Sequence, residues 1–352
     1  MQIQIHGGDI YSRTYQYDFS TNINPFGMPE KVKLAAMEGI ENSVHYPDVQ
    51  CRKLREAIAK KEQIPKEWIL CGNGAAELIF SLAAAKNPKK ALLISPGFAE
   101  YEQALGTIPC EIVFHELSRE QGFLLGEDYL ECLEEDIDLI FLCNPNNPTG
   151  LLIEPSLLDR ILEKCRKKDI FVVLDECFLE FVSDEMQNPQ KKRLKENPSL
   201  FILKAFTKMY GMPGLRLGYG LCSDTVLLQK MKERTQPWNV SIPAQLAGAA
   251  ACEEAGFVTK TRESIEKERS YLSEELQKLG FRVYPSAANY LFFEGPKELY
   301  EVCEEEGVLL RDCSNYRSLS QGDYRIAVRL HKENEALIRI LKKHYEGEIC
   351  HG

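Results

Sequence analysis

Leu139-Ile140-Phe141-Leu142-Cys143-Asn144-Pro145-Asn146-Asn147-Pro148-Thr149-Gly150 is an unbroken apolar run that stops at a loop of prolines and asparagines. A strand that is apolar at every position, not every second one, is buried on both faces, as in a parallel sheet covered by helices. The same pattern repeats on either side. Ile170-Phe171-Val172-Val173-Leu174 is a second such run, reached through a helix predicted over 154–167. Upstream, Trp68-Ile69-Leu70-Cys71 ends at Gly72-Asn73-Gly74 and gives way to helical spacing through Leu78, Ile79, Leu82 and Ala83. Ala91-Leu92-Leu93-Ile94, a helix over 97–106, Glu111-Ile112-Val113-Phe114 and a helix near 127–134 continue the alternation. Downstream, Leu200-Phe201-Ile202-Leu203 and Leu215-Arg216-Leu217-Gly218-Tyr219 read as two more strands. This βαβα rhythm predicts an α/β fold, a mostly parallel sheet sandwiched by helices.

The rhythm changes after about residue 240. Helices over 243–255 and 257–279 precede short strands at 281–284 and 290–293, a helix at 297–306, a strand near 324–328 and a last helix at 333–345. A chain of 352 residues exceeds what one core usually serves. We therefore divide it into an irregular N-terminal arm (1–30) packing with the small domain, a large domain (31–240) and a smaller α+β domain (241–352).

Net charge is −10 and the densest basic run is only Lys191-Lys192-Arg193, which argues against nucleic acid or an anionic membrane as partner. The polar start Met1-Gln2-Ile3-Gln4-Ile5-His6 does not resemble a secretory signal, and no apolar run approaches membrane-spanning length, so a cytoplasmic location is expected. Twelve cysteines without a CxxC pair read as reduced, small hydrophobes and not as a metal site.

Ligands of open α/β sheets bind beyond the carboxyl ends of the strands, so the polar residues there are the candidates. Gly72-Asn73-Gly74-Ala75-Ala76-Glu77 is either a tight turn or a helix start whose N–H groups close on an anion. The loop Asn144–Gly150 can present a fixed amide. Asp175, ending an all-apolar strand, is either a helix cap or the partner of a buried cation, for which a protonated pyridine nitrogen would serve. Phe206-Thr207-Lys208 follows a strand, and Arg216 stands eight residues further on. A semi-buried lysine among opposing charges suits imine chemistry; its rival Lys204 falls within the strand.

In the order and spacing of Asn147, Asp175, Lys208 and Arg216 the chain resembles the fold type I pyridoxal-5′-phosphate (PLP) enzymes, the aminotransferase family. The resemblance implies a Schiff base at Lys208 and an ion pair from Asp175 to the ring nitrogen. It also implies a hydrogen bond from Asn147 to the ring hydroxyl, and Phe98 stacked on the ring. Gly74, Ala75, Thr207 and Arg216 would hold the cofactor phosphate. Tyr46, in Tyr46-Pro47-Asp48, would reach the phosphate of a neighbouring subunit, which implies a homodimer. Two positions depart from the common pattern: Ala205 replaces a hydroxyl residue and Phe178 a tyrosine.

Within the family the resemblance is to the branch of histidinol-phosphate aminotransferases and of the L-threonine-O-3-phosphate decarboxylases of cobalamin biosynthesis. Segments from His6-Gly7-Gly8 and Asp18–Pro25 through Pro96–Tyr101 and Asp175–Phe178 to Arg311–Tyr316 and Tyr324–Arg329 are more similar to the decarboxylases, and Phe178 fits them. Decarboxylation of L-threonine O-3-phosphate to (R)-1-aminopropan-2-ol O-phosphate is then the implied activity. By the same resemblance Arg325 would take the substrate carboxylate. Arg311 and His6 would take its phosphate, with Ser20 or Asn22 nearby; Arg329 is open between a supporting cation and a solvated strand end. An aminotransferase using 2-oxoglutarate is the nearest alternative, and a non-catalytic PLP-binding regulator the more distant one.

Overall fold

The structure is a computed structural model and describes residues 7–345. In chain order the elements are β1 (Tyr17–Asp18), α1 (Glu30–Glu41), α2 (Arg52–Glu62), β2 (Ile69–Gly72), α3 (Gly74–Lys86), β3 (Lys90–Ser95), α4 (Ala99–Leu105) and β4 (Glu111–Glu116). Next come β5 (Leu139–Cys143), α5 (Pro155–Lys167), β6 (Phe171–Asp175), β7 (Leu200–Ala205), β8 (Gly218–Leu221), α6 (Thr225–Glu233), α7 (Ile242–Ala251) and α8 (Ala255–Lys278). Finally come β9 (Arg282–Val283), β10 (Tyr290–Glu294), α9 (Leu299–Glu305), β11 (Val308–Leu309), β12 (Arg311–Asp312), β13 (Asp323–Ala327) and α10 (His331–Tyr345).

Seven strands form one sheet in the order β2-β8-β7-β6-β5-β3-β4. The run from β4 to β7 is parallel, and β8 alone is antiparallel to both its neighbours. Every residue of β5, β6 and β7 is buried. The two-residue period of a strand sorts them: Ile140, Leu142, Val172 and Leu174 enter one apolar core, while Leu139, Phe141, Phe171 and Val173 enter another on the opposite face. The helices covering these faces carry ordinary start signals, such as Glu154, which accepts from Leu157 N–H ahead of Pro155, and Asp224, which accepts from Leu227 N–H. A second, antiparallel sheet runs β12-β13-β10-β9, and β1 pairs in parallel with β11. Among the described residues no helix is long and apolar enough to cross a membrane.

Three expectations change. The helix near 127–134 is a single 3-10 turn, Glu127–Leu130. Glu131, Glu134, Glu135 and Asp136 crowd like charges into what would have been its later turns, and so short a helix does not repay its nucleation. Arg216 is not in a strand: Pro213–Leu215 forms a 3-10 turn that ends with Arg216 left-handed at φ 56°, and β8 begins only at Gly218. The helices α1 and α2, and the short strands β1, β11 and β12, lie in stretches read as irregular or left unassigned.

Ahead of their last residues, one charged side chain breaks the apolar rule of the central strands. Lys204 in β7 is buried and sits 3.4 Å from Glu62 Oε1 and 3.6 Å from Glu176 Oε2. Glu62, the last residue of α2, also accepts from Tyr219 Oη at 2.6 Å and Lys191 Nζ at 2.9 Å. Burial pushes the Glu62 acid up, but Lys204 and Lys191 outweigh it and hold it down at about 2. A folded-state value below the unfolded 4.5 means that this stabilisation is complete above 4.5 and is lost as pH falls through about 2. Glu62→Gln leaves two lysines short of a charge, and should cost about 3–5 kcal/mol at neutral pH. Urea titrations at neutral and acid pH should show the wild type converging on the variant as Glu62 protonates; a constant gap would show that Glu62 does not carry the effect.

Candidate active site

The parallel strands direct their carboxyl ends to one edge of the large sheet. Strand order reverses between β3 and β5, so the loops after them diverge and open a crevice. A cavity of about 270 Å³ lies there. β3 leads into Phe98, β5 into Asn147, β6 ends on Asp175, and β7 leads into Thr207 and Lys208; all five line the cavity. Ala75 at the start of α3 and Arg216 line it too. From the other sheet come Arg311 of β12 and Arg325 of β13, and from the N-terminal segment Ser20 and Asn22. Ala205 and Phe178, the two departures from the family pattern, are also in the wall.

Gly74 is not in the wall but directly precedes Ala75. With φ at +81°, it lets the backbone pass where a Cβ would meet Arg216 Nη2 at 2.6 Å. Tyr46 is 78% exposed and stacks on Trp238 with ring centroids 4.6 Å apart, away from this cavity. His6 lies outside the described residues, although its neighbour Gly7 lines the cavity. Arg329 pairs with Glu333 at 2.9 Å and is not in the wall.

Asp175 accepts from Tyr101 Oη at 2.6 Å and from the Cys177 backbone N–H at 2.9 Å. Neither donor carries charge, and burial outweighs both, raising its acid above the ordinary value. Lys208 is the complementary case. Burial lowers its amine to about 8, helped by Arg325 and Arg216. A buried carboxyl held by neutral donors and a lysine poised to lose its proton are what a protonated pyridine ring and an imine-forming aldehyde require.

Arg325 spans the site. Its Nη1 donates to Asn147 Oδ1 at 2.5 Å and its Nη2 to the Ser20 carbonyl at 2.9 Å, while Nε is buried with no hydrogen-bond partner among the described residues. With its oxygen engaged, the Asn147 amide has only N–H to offer the cavity. Asn22 Oδ1 is likewise buried and unsatisfied. Ser20 is less available, because Asp18 Oδ1 accepts from its hydroxyl at 2.6 Å and its Oγ accepts from Gly8 N–H at 2.7 Å. Arg311 donates to the Asp312 carbonyl at 2.6 Å and to Asn315 Oδ1 at 2.8 Å, and lies over the Tyr316 ring. Arg311 and Arg325 are direct cross-strand partners, two buried guanidiniums side by side. Such a pair is repulsive unless anions share it.

These observations fit PLP. The α3 start at Gly74–Ala75 lies against Arg216, N–H donors suited to a phosphate, and Phe98, Asp175 and Lys208 share the same cavity wall. Sequence reasoning missed Tyr101 and Glu100, although both lie in the segment that supplied Phe98. The helical spacing of that segment was the available signal, since it puts Tyr101 one turn from Phe98; their rings meet edge to face at 5.5 Å.

The family model for aminotransferase class I and II matches residues 14–341. The chain is 38% identical to the threonine-phosphate decarboxylase of Salmonella typhimurium over 97% of each sequence. Among solved structures, it is similar to the histidinol-phosphate aminotransferase of Clostridium acetobutylicum, with a TM-score of 0.88 and 31% identity over 94% of this chain and 99% of that one. It is also similar to the L-threonine-O-3-phosphate decarboxylase of Porphyromonas gingivalis, with a TM-score of 0.80 and 26% identity over 94% and 99%.

Removing the Tyr101 hydroxyl should expose how much the Asp175 carboxyl depends on it. Tyr101→Phe keeps the ring stacked on Phe141 but deletes one of the donors to a buried acid. It should lower stability by about 1–3 kcal/mol in urea titrations near neutral pH. Unchanged stability would mean that Asp175 does not rely on this bond.

Proposed function

The chain belongs to the class I and II aminotransferase family, and from that premise we propose that it decarboxylates L-threonine O-3-phosphate to (R)-1-aminopropan-2-ol O-phosphate in cobalamin biosynthesis. It is a PLP-dependent enzyme acting on a small substrate. The observation that carries the substrate reading is the cross-strand pair Arg311 and Arg325 in the cavity wall, two fixed cations for a ligand with two anions.

When bound, PLP is the sink for the electron pair released at the substrate Cα. Lys208 would hold the cofactor covalently, and its amine, free once substrate has taken its place, would carry a proton to Cα. Asp175 would hold the proton on the ring nitrogen, Asn147 would donate to the ring hydroxyl, and Phe98 would cover the ring face. Gly74, Ala75, Thr207 and Arg216 would hold the cofactor phosphate. Arg325 would take the substrate carboxylate, its buried Nε being the donor in want of an acceptor. Arg311, Asn22 and Ser20, with His6, would surround the phosphate. Which bond to Cα lies across the ring follows from how these two anion sites orient the substrate. The cofactor-holding unit is taken as residues 31–240, with 1–30 and 241–352 forming the smaller one.

A histidinol-phosphate aminotransferase is the second reading, favoured by the TM-score of 0.88 to such an enzyme. Holoenzyme supplied with L-threonine O-3-phosphate and no keto acid separates the two. Release of CO₂ with the amino alcohol phosphate is the expected outcome. Conversion of the cofactor to its amine form by glutamate, without CO₂, would overturn it.

We also propose a homodimer. Leu34, Met37 and Ile40 on α1, with Val44 and Tyr46 after it, are all more than half exposed, an apolar stripe unusual for a free surface. Tyr46 would reach the partner's cofactor phosphate. Ile40→Asp should shift the species seen in sedimentation from dimer toward monomer and weaken PLP retention; an unchanged dimer would place the interface elsewhere.

A further inference from the structure

Besides Asp175, the described cavity wall contains one other carboxyl, that of Glu100 in the first turn of α4. Its Oε2 is sealed from solvent. The charges that bear on it include Lys208 after β7, Asp175 at the end of β6 and Arg311 on β12. Arg216, Arg325, Cys143, Cys177 and Tyr316 complete the titratable groups of the wall among the described residues. No role assigned above uses Glu100.

A carboxyl beside a site for two anions presents a charge problem. Ionised, it opposes whatever Arg311 attracts; protonated, it becomes a donor to the same ligand. A phosphate monoester loses its second proton at about pH 6. Burial lifts the Glu100 acid to about 7, with Asp175 adding to the rise and Lys208 and Arg311 opposing it. Near neutrality, therefore, carboxyl and phosphate compete on similar terms for one proton. An O–H···O⁻ bond between them is among the stronger hydrogen bonds available.

We propose that Glu100 is a specificity-determining residue that, protonated, donates to a phosphate oxygen held by Arg311, so that the phosphorylated substrate binds together with one proton. The inference rests on the substrate reading above. No bond breaks: the proton comes from solvent and ends between the Glu100 carboxyl and the phosphate. An unphosphorylated amino acid places no phosphate beside Arg311 and so leaves the Glu100 proton without an anion to bind.

The test compares wild-type and Glu100→Gln holoenzyme. For L-threonine O-3-phosphate, wild-type KM should rise about tenfold per pH unit above neutrality, while glutamine, which donates at every pH, should flatten that rise. The change should fall on KM more than on kcat. Calorimetry with propyl phosphate, in buffers of different ionisation enthalpy, should show proton uptake by the wild type that is reduced in the variant. Equal pH slopes and equal proton uptake in the two proteins would overturn the proposal, as would a loss confined to kcat. Wild type inactive on the substrate at every pH would instead remove the substrate reading. The propyl phosphate measurement would still decide whether Glu100 binds phosphate with a proton.

Discussion

Strands β5, β6 and β7 are buried on both faces, and that constraint decides where polar chemistry can be. A charged side chain within them must be neutralised on the spot, and Lys204 is, by Glu62 and Glu176. Everywhere else the polar residues are pushed to the strand ends, where the backbone turns and the helices part. Asn147, Asp175 and Lys208 are therefore neighbours for a topological reason: adjacent parallel strands finish at one edge. The Lys204 network also abuts the site, since Glu176 follows Asp175 and Lys204 lies four residues before Lys208. The same ion pairs that make a lysine tolerable in β7 thus hold the ends of the two strands that carry Asp175 and Lys208.

The cavity has a surplus of cations. Lys208, Arg216, Arg311 and Arg325 face it, against Asp175 and Glu100. Burial acts on each sign in the direction that reduces the charge, lowering the lysine and raising both acids. Arginine as a residue type cannot be neutralised in this way. Arg325 and Arg311 are secured instead by carbonyl and amide oxygens: Ser20 and Asn147 for Arg325, Asp312 and Asn315 for Arg311. None of those oxygens is an anion, so the guanidiniums remain available for anionic ligands. This is the arrangement expected of a site that must discharge its substrate on each turnover.

The large sheet was legible because its strands are apolar without interruption and its loops carry glycine, proline and asparagine. Asn147, Asp175 and Lys208 were legible for the same reason, as polar residues at the ends of such runs. The smaller pieces were not. β12 is two residues long and has no periodicity to read, yet it supplies Arg311. Arg216 was placed in a strand because Leu215 and Leu217 flank it, whereas the left-handed turn after Pro213-Gly214 rotates it toward Gly74. Tyr101 was missed because its partner, Asp175, is contributed by a distant element, and Glu100 because the other side of the cavity it lines comes from distant elements. Tyr46 was read as reaching the cofactor phosphate of a neighbouring subunit, and this chain carries it on its surface, stacked on Trp238.

The N-terminal segment shows how the two sheets are made to share one cavity. The Phe19 carbonyl accepts from Ala327 N–H, extending the edge of β13, and the Ser20 carbonyl accepts from Arg325. Asn24 then reaches the other side: its backbone N–H donates to the Lys208 carbonyl and its amide to the Met209 carbonyl and to Thr261 of α8. Within six residues the segment thus holds the strand that carries Arg325 and the loop that carries Lys208. Gly7 fits the same scheme, since a Cβ there would meet the Ser20 carbonyl at 2.5 Å. The spacing between the arginine and the lysine is accordingly a property of this segment as much as of the sheets. A change at Asn24, with no atom in the cavity wall, would act on Lys208 through its backbone.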